Sequence, residues 1–131
     1  MPQAVAKEVS CVIGNDLWQA GVTVVELDER ARLSSQLLLS AAGLHKGEAE
    51  AIALAGTIKE PLLLSDDAAA RLYASYVSIE VRGSIGLVLA AVAYGRIGKP
   101  EGREILDRLE RTSLWLSKTV FAEAQAALEE L

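Results

Sequence analysis

Residues 43–71 constrain the fold of this sequence most, because a helical pattern is followed directly by a short apolar strand pattern. The helix is predicted over residues 48–59, carries Glu48 in its first turn and is apolar on almost every side, as in a helix buried on most faces. The strand is predicted over residues 61–65, and Asp66 and Asp67 follow it. A helix antiparallel to the next strand begins at the edge where that strand ends, and ligands of α/β sheets bind at that edge. The spacing therefore predicts that the three carboxylates share one edge.

The three acids, Glu48, Asp66 and Asp67, admit two interpretations. Clustered carboxylates repel one another unless a cation neutralises them, and Mg²⁺ or Mn²⁺ prefer oxygen ligands. On this interpretation they bind a metal that activates water for attack on a phosphodiester. On the other, Glu48 only complements the helix dipole and an aspartate only caps the next helix. The spacing alone leaves both open.

Strand and helix patterns alternate along the rest of the chain, which predicts an α/β fold with a mostly parallel sheet. β-branched residues predict a buried strand at 22–27, and other apolar runs predict strands at 77–81 and 114–116. Asp28 is the predicted cap of a helix that Gly43 ends. Leu72, Tyr73 and Tyr76 are predicted to point inward. The remaining helices are predicted over residues 2–9, 66–76, 84–96, 101–111 and 118–131.

The composition is that of one compact domain spanning residues 1–131, with 51% hydrophobic residues. No apolar run approaches the ~20 residues of a membrane helix, and the first residues lack a signal-peptide pattern. Cys11 is the only cysteine, so an internal disulfide is excluded and a cytoplasmic location is expected. The net charge of −5 is untypical of a nucleic-acid coat protein, but it is compatible with a nuclease whose metal-binding acids are clustered.

The other polar residues support no rival enzyme class. His45 is the only histidine and has no cysteine beside it, which disfavours a zinc site. No Gly-x-Ser-x-Gly elbow with a following histidine is present, which disfavours a Ser-His-Asp hydrolase. Arg71 and Arg82 are the predicted substrate-binding residues, because arginines hold phosphates. Arg71 lies one helical turn beyond Asp67, where it can pair with that carboxylate or face a substrate.

Several segments resemble the PIN-domain superfamily, in particular its predicted nucleic-acid-binding proteins related to the VapC-type toxins. The similarity covers about residues 2–128 and is most specific over residues 47–71. The matching segments are GEAEAIALA at 47–55, LLSDD at 63–67 with Arg71, GSIGLVL at 83–89, GRI at 95–97, ILDRL at 105–109 and LS at 116–117.

This resemblance implies a PIN-like three-layer fold with a parallel sheet between helices, and a Mg²⁺- or Mn²⁺-dependent ribonuclease of toxin type. It also implies a small antitoxin protein as partner and frequent dimerisation. Glu48 takes the place of the family's helix acid, Asp67 that of the main strand-end acid, and Asp66 that of its neighbour. The three are the predicted catalytic and metal-binding residues.

One departure from the family pattern is large. The family begins with a strand that carries an aspartate in an Asp-Thr/Ser-Ser context, whereas PQAVAKEV at residues 2–9 matches the helix after the second strand. We therefore expect a fold shortened at its N-terminus by a late start codon, by trimming, or in a naturally short and inactive protein. Exposed sheet edges invite pairing, so a homo-oligomer is expected. The alternative function is a catalytically degenerate PIN-like module for binding or oligomerisation.

Overall fold

The structure, a computed structural model, describes residues 1–13, 19–112 and 116–131. It divides into two compact units, Met1–Val81 and Arg82–Leu131, so the single domain expected over residues 1–131 stays a prediction. The predicted α/β class is confirmed. The elements in the described residues are α1 Gln3–Ile13, α2 Glu29–Ala41, α3 Lys46–Ala55, β1 Leu62–Leu64, α4 Ala68–Tyr76, β2 Glu80–Arg82, α5 Ser84–Ala93, α6 Lys99–Thr112 and α7 Lys118–Glu130.

The helix α3 is the centre of the first unit and contacts α1, α2, α4 and β1. Small side chains allow these close approaches, and the prediction of a helix buried on most sides is confirmed. The helix ends at Ala55 rather than at residue 59, because Gly56 follows and the Thr57 hydroxyl donates to the Leu54 carbonyl at 2.7 Å. The buried residues of α3 are Gly47, Ala49, Ile52, Ala53 and Ala55.

The sheet of the first unit has two parallel strands, β1 and β2, joined through α4. In β1 only Leu63 is buried, while Leu62 and Leu64 are 51% and 55% exposed. The strand predicted at 61–65 is confirmed in shorter form. The strand predicted at 77–81 begins later, at Glu80, because Ser78 adopts a left-handed φ of 58° that interrupts an extended backbone.

Two expectations about the strands and the core need correction, and a third lies almost wholly outside the described residues. The strand predicted at 22–27 is wrong: within the described residues, Val25 forms only an isolated bridge with Pro2, because the chain after Pro2 enters α1 at Gln3 and cannot extend the pairing. Leu72 and Tyr76 do not point inward but are 62% and 80% exposed, since Ala70 and Ala74 form the buried face of α4. The strand predicted at 114–116 lies outside the described residues except for its last residue, which is in a bend.

The second unit consists of α5, α6 and α7, and each of these helices packs against the other two. The predicted helices at 84–96, 101–111 and 118–131 are confirmed, although α5 stops at Ala93 before Gly95, which has a φ of 66°. The start of α7 is capped by Ser117, whose hydroxyl accepts from the Val120 amide at 3.4 Å. Among the described residues, no helix combines the length and apolarity that crossing a membrane requires. The buried core of this unit is Val88, Leu106, Ala124 and Leu128.

Candidate functional site

The side chain of Glu48 combines a charge with an unsatisfied buried atom. The residue lies in the first turn of α3, where the positive end of the helix dipole favours an anion. Its Oε2 is buried and accepts no hydrogen bond from any described residue. A buried acceptor without a donor costs about 1–3 kcal/mol, so this oxygen would gain from a hydrogen-bond donor or a cation.

Glu8, on α1, is a second acid that lies beside the start of α3, and the sequence analysis did not select it. A Cβ on Gly47 would lie 2.9 Å from Glu8 Oε1 and 3.1 Å from its Oε2. The absence of a side chain at Gly47 therefore lets the Glu8 carboxylate lie against the helix start. Helical spacing could have indicated it. Glu8 lies four residues after Ala4 and three after Val5, which places all three on the face of α1 that packs on α3.

Glu8 and Glu48 line one cleft of about 130 Å³, which we call the acidic cleft. It lies between the face of α1, the first turns of α3 and the end of β1. Ser65 is its third polar residue, and its hydroxyl accepts from the Asp67 amide at 3.2 Å. The remaining lining residues are Val5, Gly47, Ala51, Leu63, Leu64 and Ala70.

The two predicted aspartates lie outside the acidic cleft that Glu48 lines. Asp67 is the N-cap of α4, and its Oδ1 accepts from the Ala70 amide at 2.7 Å. Asp66 is exposed, and neither aspartate lines the acidic cleft. In the described part of the chain, no three His, Cys, Asp or Glu side chains are arranged to hold one metal ion. The metal-binding and catalytic roles of Glu48, Asp66 and Asp67 stay predictions.

The two predicted substrate-binding arginines are both exposed. Arg71 lies on α4, and its amide donates to the Asp67 carbonyl at 3.0 Å. Arg82 ends β2 and begins the second unit. Their contact with a substrate stays a prediction. His45 is exposed at the N-cap of α3 and makes no side-chain capping bond.

The donors of the acidic cleft fit a hard divalent cation. Mg²⁺ is commonly bound through one or two carboxylates and keeps several waters, and the cleft supplies two carboxylates and a hydroxyl. Such an ion would also bind Glu48 Oε2, which has no hydrogen-bond partner among the described residues. Glu48 and Glu8 are thus the residues that would hold it.

The comparison with known families matches most of this chain to one model. The family model described as "PIN domain" matches residues 1–130. No curated protein and no solved structure matches the sequence significantly. PIN domains are generally nucleases that bind nucleic acid and use divalent metal ions. Because the match extends over nearly the whole sequence, this chain belongs to the PIN-domain family.

Proposed function

We propose that this chain is a divalent-metal-dependent ribonuclease of the toxin type, related to the VapC toxins, which cleaves RNA phosphodiester bonds. The observation that carries this proposal is the buried, unpartnered Oε2 of Glu48 in a cleft that Glu8 also lines. Two carboxylates that face one small space gain most from a cation, because it satisfies the unpaired oxygen and removes the repulsion between like charges.

In the proposed site, Glu8 and Glu48 hold Mg²⁺ or Mn²⁺. When bound, such an ion supplies positive charge that stabilises a phosphodiester transition state and acidifies water. Asp66 and Asp67 are proposed as further acids of the site, although Asp67 Oδ1 already caps α4. Because Ser65 accepts from the Asp67 amide, it links the wall of the acidic cleft to this cap.

The cleavage assay that tests this proposal uses a single-stranded RNA with Mg²⁺ or Mn²⁺. We expect Glu8→Gln and Glu48→Gln to lower the rate about 100-fold or more, since electrostatic stabilisation of developing charge is typically worth that much. Glu29→Gln is the matched control, because Glu29 also lies in the first turn of a helix of the first unit, α2, but is exposed and does not line the acidic cleft. Unchanged cleavage by Glu48→Gln would refute the proposal.

The same assay tests the finer parts of the proposal. Asp66→Asn and Asp67→Asn show whether the strand-end acids contribute, and Arg71→Gln and Arg82→Gln show whether these arginines bind the substrate. A chain extended upstream of Met1 tests the expectation that a further strand with an aspartate completes the site. Faster cleavage by the extended chain would support that expectation, and an equal rate would contradict it.

A second candidate function is a PIN-like module that binds a partner or a second copy without cleaving RNA. The observation that favours it is the number of large apolar side chains exposed on the first unit, two of which, Leu37 and Val77, line one cleft, because apolar side chains gathered on a surface mark interaction sites. They include Leu33, Leu37, Ile58, Leu62, Leu64, Leu72, Tyr76 and Val77, all at least 45% exposed.

Light scattering at micromolar concentration and the cleavage assay separate the two candidates. A homo-oligomer that cleaves no RNA, with or without the upstream extension, would support the binding module. A monomer that cleaves RNA would support the nuclease alone. The antitoxin partner of the toxin-type proposal is tested by co-expression with a candidate antitoxin protein and by loss of cleavage in the complex.

A further inference from the structure

A second cleft of the first unit adjoins the acidic cleft and has a different chemistry. It encloses about 440 Å³ between the start of α1, the residues that lead into α2, and the start of α3. Three cationic residues, Lys7, Arg32 and Lys46, line it together with three glutamates, and we call it the basic cleft after its cations. Glu8 lines both clefts, so the two meet at this residue, which we call their shared wall.

Two of the three carboxylates in the basic cleft are occupied by partners within the protein. Glu26 Oε1 accepts from Gln3 Nε2 at 2.9 Å. Glu50 Oε2 accepts from the Ala4 amide at 3.1 Å, and Glu50 is only 14% exposed. The third carboxylate, Glu8, lies against Gly47 on the side of the acidic cleft. These hydrogen bonds leave the carboxylates charged, so the cleft carries three positive and three negative side chains, but each carboxylate lies against a group other than Lys7 or Arg32.

The cations of the basic cleft are less committed. Lys7 and Arg32 are exposed and form no ion pair within the described part of the chain. Lys46 is 69% exposed, and its Nζ lies 3.8 Å from Glu50 Oε1, so this is a loose, solvent-screened pair. An anion that enters the cleft thus meets three cationic side chains at a small cost in broken contacts.

We propose that the basic cleft binds a backbone phosphate of the substrate strand next to the phosphodiester that is cleaved. The inference rests on the proposed ribonuclease function and assigns phosphate contacts to Lys7 and Arg32, with Lys46 in support. Lys7 lines the basic cleft and Glu8 lines both clefts, so a strand whose phosphate lies at Lys7 reaches the acidic cleft past Glu8. The cleft thereby positions the strand and contributes affinity without base specificity.

Fluorescence anisotropy with a labelled single-stranded RNA of about twelve nucleotides tests the inference. Binding is measured in EDTA at several salt concentrations on the full chain. Lys7→Gln and Arg32→Gln should each flatten the dependence of log Kd on log salt by about 0.7 and raise Kd about threefold at low salt, as expected for one lost phosphate contact.

Matched controls isolate the position of each charge from the charge itself. Arg30→Gln is the control for Arg32→Gln, because Arg30 lies on the same helix but does not line the basic cleft. Residues two apart on a helix face different directions. Lys59→Gln removes an exposed lysine elsewhere in the first unit. Both controls should keep the salt dependence of the parent, and thermal melting should show that all four variants remain folded.

The outcomes separate this inference from the proposed function. If Arg32→Gln and Lys7→Gln match their controls while the parent cleaves RNA, the basic cleft does not bind the substrate and the nuclease proposal stands. If both variants lose affinity but Glu48→Gln still cleaves RNA, the nuclease proposal fails and the phosphate site stands. A parent chain that binds no RNA would overturn both.

Discussion

The buried oxygen of Glu48 makes an unusual prediction, because removing its charge should stabilise the metal-free protein. Glu48→Gln keeps the shape of the side chain and gives up about 0.3–1 kcal/mol of favourable interaction with the helix dipole. It also replaces a charged oxygen that has no donor by a neutral amide, whose burial without a partner costs less than that of a charge, and relieves repulsion with Glu8 in the same cleft. The balance favours glutamine by about 1 kcal/mol.

Urea unfolding in EDTA and again in Mn²⁺ measures both halves of this argument. In EDTA, the free energy of unfolding of Glu48→Gln should exceed that of the parent. In Mn²⁺ at about 100 times Kd, the parent should gain about 2.7 kcal/mol, whereas Glu48→Gln should gain almost nothing. The ranking of the two proteins should therefore reverse when the metal is added.

The control for this experiment is Glu50→Gln, which makes the same substitution two residues later in α3. Glu50 accepts from the Ala4 amide and pairs with Lys46, so its charge is satisfied and its loss should lower stability in both conditions. If Glu48→Gln were destabilised in EDTA as Glu50→Gln is, or were stabilised by Mn²⁺ as the parent is, the reasoning about the acidic cleft would be refuted.

Three further substitutions test single contacts of the two units. Gly47→Ala places a Cβ 2.9 Å from Glu8 Oε1, so calorimetry should show weaker Mn²⁺ binding. The metal-free protein should become more stable by up to about 1 kcal/mol, because alanine has the higher helix propensity. Unchanged Mn²⁺ affinity would contradict the role of Glu8. Asp67→Ala should cost about 1 kcal/mol in urea unfolding by removing the cap of α4, whereas Asp67→Asn should retain most of the cap, so that a loss of Mn²⁺ affinity in Asp67→Asn reports metal binding alone. Gly102→Ala brings a Cβ to 2.7 Å from Val92 Cγ2 in the core of the second unit and should lower stability by about 1–3 kcal/mol; an unchanged urea midpoint would show that this core yields easily.

Helices were predictable from this sequence where local signals decide their ends. Asp28 caps α2, because its Oδ1 accepts from the Ala31 amide at 2.7 Å, and Gly43 beyond that helix has a φ of 63°, as cap chemistry requires. Strands were less predictable, because a strand exists only where another strand lies beside it. Residues 22–27 have the composition of a strand, but among the described residues only Met1 and Pro2 pair with their backbone.

The candidate site was predictable only in part, for a related reason. Glu48 could be selected because its place in the first turn of a helix is a local property of the sequence. Glu8 is distant in sequence from Glu48, and only the packing of α1 on α3, which the small Gly47 allows, brings the two acids to one cleft. Asp67 shows the opposite case, since a motif that predicts a metal ligand is also the motif of a helix cap, and the structure displays the cap.

The shared wall of the two clefts leads to a last prediction, that metal and RNA bind cooperatively. Without a cation, Glu8 places a negative charge between the acidic cleft and the cations of the basic cleft. A cation held at Glu8 cancels that charge, so the field at Lys7 and Arg32 becomes more favourable for a phosphate. Since coupling between two binding sites is reciprocal, RNA should also strengthen binding of the metal.

This coupling is measured by RNA binding rather than by cleavage, by comparing Glu8→Gln with the parent in the anisotropy assay. Adding Ca²⁺, a hard cation that prefers oxygen ligands, should tighten RNA binding by the parent about tenfold, which corresponds to about 1.4 kcal/mol of coupling. In Glu8→Gln, RNA should already bind more tightly without the ion, because the wall is neutral, and Ca²⁺ should add little. An equal response to Ca²⁺ in the parent and in Glu8→Gln would show that the two clefts act independently, and that Glu8 separates them without linking them.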